Sequence, residues 1–355
     1  MSCFLSFCVF PPFANSPSFL RPHLFFRSAL QEQSLPWVEK YRPSQLSELV
    51  AHQEIISIIT KLIDTDRLPH LLLYGPPGTG KTSTVIAAAK KMYGEKKYRG
   101  MTLELNASDD RGINVVRNQI KEFAGTRQLF SSGIKLVVLD EADAMTNDAQ
   151  FALRRIIEKH TKTTRFILIC NYVSKIIPAL QSRCTRFRFA PLMKEQIRDR
   201  LTEISQKENC KIDAAGLEAI LDLSNGDMRR VLNLLQASSM AYENLGEDEI
   251  YLTSGAPLPG DIKTLSEILW TKGFNESFDH AKSLSKLKGY AVSDILTSVS
   301  KIVVEMDLPE DVLGEVVDGL SQVEHRVAFA TDDDIQIAGM VAVFTKARGM
   351  MTPKK

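Results

Sequence analysis

The sequence predicts an α/β protein: a parallel sheet built around a phosphate-binding loop, followed by two all-helical regions. Three observations carry that prediction. Residues 75–82, Gly75-Pro76-Pro77-Gly78-Thr79-Gly80-Lys81-Thr82, fit G-x-x-x-x-G-K-[ST] at every fixed position. Between Leu35 and Pro191 short apolar runs alternate with helical segments, the pattern of a parallel sheet with helices on both faces. Beyond Pro191 the β signal stops and helical apolar spacing takes over.

The phosphate loop has the context its chemistry needs. Leu71-Leu72-Leu73-Tyr74 precedes it as a strand, and Thr82–Met92 follows as a helix. Glycines let backbone N–H groups crowd phosphate oxygens, and the helix start adds positive potential. Gly75 to Ser83 therefore form the candidate nucleotide cradle. In it Lys81 reaches the β- and γ-phosphates and Thr82 holds Mg²⁺.

The other strands are expected at Met101–Leu105, Ile134–Leu139, Arg165–Cys170 and Arg186–Phe189, and helices at Glu54–Ile63, Asn114–Phe123 and Ala149–His160. The run at 134–139 is continuously apolar, as in a strand buried on both faces, and ends in Asp140-Glu141-Ala142-Asp143. Carboxylates at the C-terminal end of such a strand sit where these sheets bind ligands. Asp140 is the second Mg²⁺ candidate and Glu141 the general base for water. An acidic helix start is the plainer reading of the tetrad, and the phosphate loop weighs against it.

Helices at Met193–Lys207, Ala214–Leu223 and Met228–Tyr242 form a first helical module. The turn-rich link Ser254–Gly260 separates it from helices at Ile262–Thr271, Ser277–Leu287, Val292–Glu305, Asp311–His325 and Ile335–Arg348. The expected domains are 1–34, 35–191, 192–252 and 253–355.

Composition narrows the function classes. Net charge is +1, so a global basic field is absent and any nucleic-acid contact must be local. The five cysteines show neither metal-ligand spacing nor a disulfide framework. No apolar stretch approaches a membrane span. Residues 1–34 are rich in Phe, Pro and Ser, with no acid before Glu32. A transit peptide is one reading, leaving an organellar form open. Pro11, Pro12, Pro17 and Pro22 interrupt any helix there, which favours a disordered extension.

More specific wording lies around the phosphate loop: Trp37-Val38-Glu39-Lys40-Tyr41-Arg42-Pro43 before it, and Leu103-Glu104-Leu105-Asn106-Ala107-Ser108-Asp109-Asp110-Arg111-Gly112 between the two nucleotide motifs. Asn171, Ser182-Arg183-Cys184 and Gly226-Asp227-Met228-Arg229-Arg230 follow. Together these resemble the small subunits of replication factor C, the AAA+ sliding-clamp loader, from Leu35 to the C-terminus. The wording at 140–145 and 126–130 narrows the resemblance to one branch of those subunits.

The resemblance implies an AAA+ core, a lid and a helical collar for oligomerisation. It implies an ATP- and Mg²⁺-dependent enzyme that loads the PCNA clamp onto primer–template DNA, as one subunit of a nuclear heteropentamer. Asn171 resembles the first sensor, which positions the hydrolytic water, and Arg229 the second. Arg183 resembles the finger inserted into a neighbouring subunit's site. Val38, Tyr41, Arg42 and Pro43 would line the adenine end. Arg111, Arg117 and Lys121 are candidate DNA contacts, with a solvated helix face as the alternative. Leu129 and Phe130 are candidate clamp contacts, with core packing as the alternative. Two rival functions stay open: a nucleotide-binding structural subunit that supplies Arg183 but hydrolyses little, and a different AAA+ remodelling machine.

Overall fold

The computed structural model describes residues 35–49, 51–108, 113–126 (of 113–117 the backbone only), 133–329 and 332–351. They divide into two compact units, one ending at Arg42 and one starting at Pro43. In the first, α1 (Trp37–Lys40) is a single turn; Arg42 pairs with Glu39 at 3.3 Å, and the Lys40 ammonium lies 5.5 Å from the Tyr41 ring centre.

The second unit contains a five-stranded parallel sheet of β1 (Leu71–Tyr74), β2 (Thr102–Asn106), β3 (Lys135–Asp140), β4 (Thr164–Cys170) and β5 (Thr185–Arg188), in the order β2-β3-β4-β1-β5. Each strand lies within a residue or two of its sequence expectation. The apolar runs are continuous because both faces are covered. Leu72, Val137, Leu139, Phe166 and Leu168 point to one face, against α4 (Ile113–Gly125) and α5 (Asn147–His160). Leu71, Leu73, Leu136, Val138 and Ile169 point to the other, against α2 (Gln53–Asp64) and α3 (Lys81–Met101). The strand period of two separates the sets.

Strand order places the site. The chain leaves β1, crosses to the far edge, returns through β3 and β4, and passes to the other side of β1 at β5. Ligands of open parallel sheets bind at such a switch, outside the carboxyl ends of the strands. Tyr74 is level with Cys170, and Asn106 with Asp140. The segments starting at Gly75, Glu141 and Asn171 therefore leave the sheet at its same end.

The short α6 (Pro178–Gln181) precedes β5, and after that strand come α7 (Lys194–Lys207), α8 (Ala214–Ser224), α9 (Met228–Ala241) and α10 (Glu247–Ser254). The last region packs α11 (Pro259–Thr271), α12 (Phe274–Lys288), α13 (Val292–Glu305), α14 (Glu310–Val327) and α15 (Asp333–Met351) around one core that includes Leu265, Val299, Val316 and Phe344.

Three sequence expectations need correcting. The β signal does not end at Pro191: β6 (Lys211–Ile212) pairs in parallel with β7 (Asn244–Leu245), a bridge too short to leave an alternation pattern. Residues 247–254 form α10, and Pro259 opens α11 instead of belonging to a link, as proline's fixed φ suits a first helical turn. Helix α3 runs past Met92 to Met101, with a kink where Gly94 adopts φ 72°.

One buried histidine makes stability pH-dependent. His70 precedes β1, and its Nδ1 accepts the Phe166 N–H at 3.1 Å. Burial, then the Arg165 charge, push its pKa down from 6.5 to about 4. Between those values the unfolded chain binds a proton that the folded chain refuses. The folded state is therefore favoured above pH 6.5 and loses that advantage as pH falls toward 4. Urea unfolding at pH 7 and pH 5 is expected to differ by on the order of 2 kcal/mol, a difference that His70→Gln largely removes. An unchanged difference in the variant refutes the assignment to His70.

Candidate functional site

The phosphate loop is shaped by two close approaches. Gly75 has φ 145°, and a Cβ there would lie 2.0 Å from the Phe189 carbonyl oxygen. Gly78 has φ 69°, and a Cβ there would lie 1.6 Å from Asp227 Oδ1. Only glycine fits either place. The second approach docks the start of α9 on the loop, where the Met228 N–H donates to the Gly78 carbonyl at 3.3 Å.

Lys81 is the centre of the site. Its Nζ donates to the carbonyls of Gly75 and Pro76, both at 2.7 Å, and to Asn171 Oδ1 at 3.2 Å. Burial lowers its pKa, Asp140 and Asp143 oppose that, and Arg229 adds to it. Thr82 Oγ1 donates to Asp140 Oδ2 at 2.8 Å. The sequence candidates from the ends of β1, β3 and β4 are thus drawn into one cluster. Thr79 Oγ1 closes the loop on the Pro76 carbonyl at 3.0 Å.

Glu141 follows Asp140 in a left-handed conformation, φ 53°, which turns the chain out of the strand. Its N–H donates to Asp140 Oδ1 at 2.9 Å. Adjacent carboxylates therefore diverge, Asp140 toward Thr82 and Glu141 toward solvent. Arg229 opens α9 beside its N-cap, where Asp227 Oδ1 accepts the Arg229 N–H at 2.8 Å.

Arg183 stands apart from this cluster. Its Nη1 donates to the Ala179 carbonyl at 2.7 Å, and its Nη2 pairs with Glu158, which also accepts from Arg154 at 3.1 Å. Cys184 beside it is buried enough to push its thiol to about 11, so it stays protonated at neutral pH. Two polar residues that sequence reasoning did not single out organise this region. Gln150, 1% exposed, donates to the Met145 and Lys175 carbonyls at 3.2 and 2.9 Å and accepts the Ile177 N–H at 2.8 Å. Glu158 holds Arg183 against α5. A lone Gln or Glu on a helix carries no sequence signal of such a role.

Among the other candidates, Val38, Tyr41 and Arg42 belong to the short first unit and Pro43 starts the second. Lys121 is exposed on α4. Arg117 lies on the same helix, its side chain outside the described residues, as are Arg111, Leu129 and Phe130.

Comparison with known proteins decides the family. The model of the ATPase family associated with various cellular activities matches residues 71–192, the RFC1-like AAA+ ATPase lid domain matches 194–251, and the replication factor C C-terminal domain matches 257–343. Replication factor C subunit 5 of Mus musculus is 50% identical over 95% of this chain and 98% of its own length. The chain belongs to the replication factor C family.

Replication factor C subunit 3 of Oryza sativa is 51% identical over 90% of this chain and 89% of its own length. The subunit 3 of Schizosaccharomyces pombe is 49% identical over 88% and 91%. These names agree with the branch numbered five in human and three in yeast. A match over 95% of the chain also reaches into residues 1–34, beyond the expected resemblance from Leu35 onward. Among solved structures, a mutant of Thermotoga maritima RuvB has a TM-score of 0.51, at 15% identity over 76% of this chain and 100% of its own. At that identity the likeness speaks for the AAA+ fold alone. The chain is an ATP-binding AAA+ ATPase and a replication factor C clamp-loader subunit, part of a multi-subunit complex. No described helix is long and apolar enough to cross a membrane.

Proposed function

We propose that this subunit spends ATP to help a heteropentamer of replication factor C subunits load the PCNA clamp onto primer–template DNA in the nucleus. The observation that carries the reading is the convergence of Lys81, Thr82, Asp140 and Asn171 from three strand ends. Thr82 and Asp140 offer a hydroxyl and a carboxylate side by side, the hard oxygen donors that Mg²⁺ prefers. They would hold the ion, which when bound would supply charge neutralisation for the phosphates.

This chain's own residues do the rest. The loop from Gly75 to Ser83 cradles the phosphates through its backbone N–H groups, which Pro76 and Pro77 lack. Lys81 exchanges its two loop carbonyls and Asn171 for phosphate oxygens. Asn171, released from Lys81, orients the attacking water, and Glu141 takes its proton. Arg229 brings the lid to the γ-phosphate, Arg183 serves the neighbouring site, and Val38, Tyr41, Arg42 and Pro43 bound the adenine. Arg111, Arg117 and Lys121 contact DNA phosphates, and Leu129 and Phe130 the clamp. Domain limits at 34, 191 and 252 belong to the same proposal.

The test is Lys81→Ala. Charge-assisted contacts are worth about 1.5–3 kcal/mol each, so ATP affinity of the purified subunit is expected to fall about tenfold or more. Clamp loading on primed DNA by the reconstituted complex should fall with it. Unchanged ATP affinity sinks the assignment.

A further inference from the structure

We propose that Asp143 is the positioning residue for Asn171. The inference rests on the reading that Asn171 orients the hydrolytic water, and it explains how a side chain beyond the end of a strand is held to that task.

The register of β4 against β1 ends at Cys170 and Tyr74. Beyond it no ladder bond fixes the backbone of Asn171, although its side chain must point at a defined place. Asp143 supplies the missing partner. It sits in the single 3-10 turn Ala142–Ala144 that follows Glu141. Its Oδ2 accepts the Asn171 N–H at 3.3 Å and the Tyr172 N–H at 3.2 Å. One oxygen thus gathers two successive N–H groups, an anion-holding arrangement of backbone donors.

The consequence is a closed chain of contacts. Asp140 meets Thr82, Asp143 meets Asn171, and Asn171 meets Lys81. The turn that carries Glu141 and the residue that carries the sensor amide therefore move as one body. Misplacing a positioned group by about 1 Å can cost on the order of 10²-fold in rate. A tie that fixes the residue carrying the sensor amide is where such a loss would arise. Asp143 itself reaches neither phosphate nor water in this scheme; it acts through Asn171. The acceptor oxygen is what the geometry uses, and an asparagine keeps that oxygen without the charge.

The test uses the reconstituted complex with every other nucleotide site inactivated, reading single-turnover ATP hydrolysis, ATP Kd and Tm. Asp143→Ala is expected to slow hydrolysis by about 10- to 10²-fold, with Kd and Tm unchanged. Asp143→Asn should recover most of the rate. Asp143→Ala combined with Asn171→Ala should be no slower than Asn171→Ala alone, because the two residues act as one unit. A slow Asn171→Ala beside a full-rate Asp143→Ala overturns the inference and leaves the sensor reading standing. A full-rate Asn171→Ala overturns both. If Asp143→Ala lowers Tm and Asp143→Asn does not restore the rate, Asp143 serves stability or supplies charge, and the inference falls.

Discussion

Glu141→Gln is expected to keep ATP bound while slowing hydrolysis at this site by about 10²–10⁴-fold, the usual contribution of a general base. The substitution is nearly isosteric, and the Glu141 side chain lies at the exposed mouth of the site, so folding should be untouched. The amide oxygen can still accept a hydrogen bond but cannot take a proton at neutral pH. The Asp140–Thr82 pair is separate, on the other side of the turn at φ 53°, and should still support Mg²⁺. Asp140→Asn gives the contrasting result: weaker Mg²⁺-dependent nucleotide binding as well as slower turnover. Single-turnover hydrolysis in a complex whose other sites are disabled measures both. An undiminished rate in Glu141→Gln favours the rival reading, a subunit that holds nucleotide without using it.

The phosphate loop and the β3 carboxylates were legible because each needs fixed residue types at fixed spacing. The limits of β1, β3 and β4 were legible to within a residue because each is a short apolar run bounded by polar or turn residues, whereas β2 and β5, only partly buried, were legible from their place in the alternation of strands and helices. The β6–β7 bridge was not legible: two residues per strand leave no period to read. Continuation of α3 beyond Gly94 was hidden by the glycine itself, which reads as a stop yet here is a kink between two helical stretches. Within the site, sequence could place Asn171 at a strand end but not bring its amide to Lys81, since that contact spans ninety residues of chain. The same holds for Gln150 and Glu158. Their roles come from which turn or guanidinium lies opposite them, a property of the assembled sheet and not of any local pattern.

Arg183→Ala should leave ATP binding by the isolated subunit intact and slow DNA-stimulated hydrolysis in the assembled ring. The expectation starts from what Arg183 touches. Both of its terminal nitrogens are engaged away from Lys81, by the Ala179 carbonyl and by Glu158. The segment that carries it is braced: Gln150 grips the backbone at Lys175 and Ile177, and α6 follows directly. A guanidinium held on a rigid mount, away from its own phosphate loop, has the properties a finger for another subunit needs. It presents a planar fork to equatorial phosphate oxygens. Glu158 is itself shared with Arg154 and exposed, so a phosphate bearing more charge can compete for Arg183 without a large desolvation cost. Fingers supplied in trans contribute up to on the order of 10³–10⁵ in rate in other NTPases, and the loss should fall on the neighbour's site alone. Arg183→Lys should be nearly as slow, because a point charge lacks the fork. Repairing or disabling this subunit's own Lys81 should not change the defect. ATPase measured with primed DNA and clamp, in rings mixing variant and unaltered subunits, separates the outcomes. Collapse of ATP binding in the isolated variant would place Arg183 in its own subunit's site; full activity in the ring would leave it a surface charge paired with Glu158.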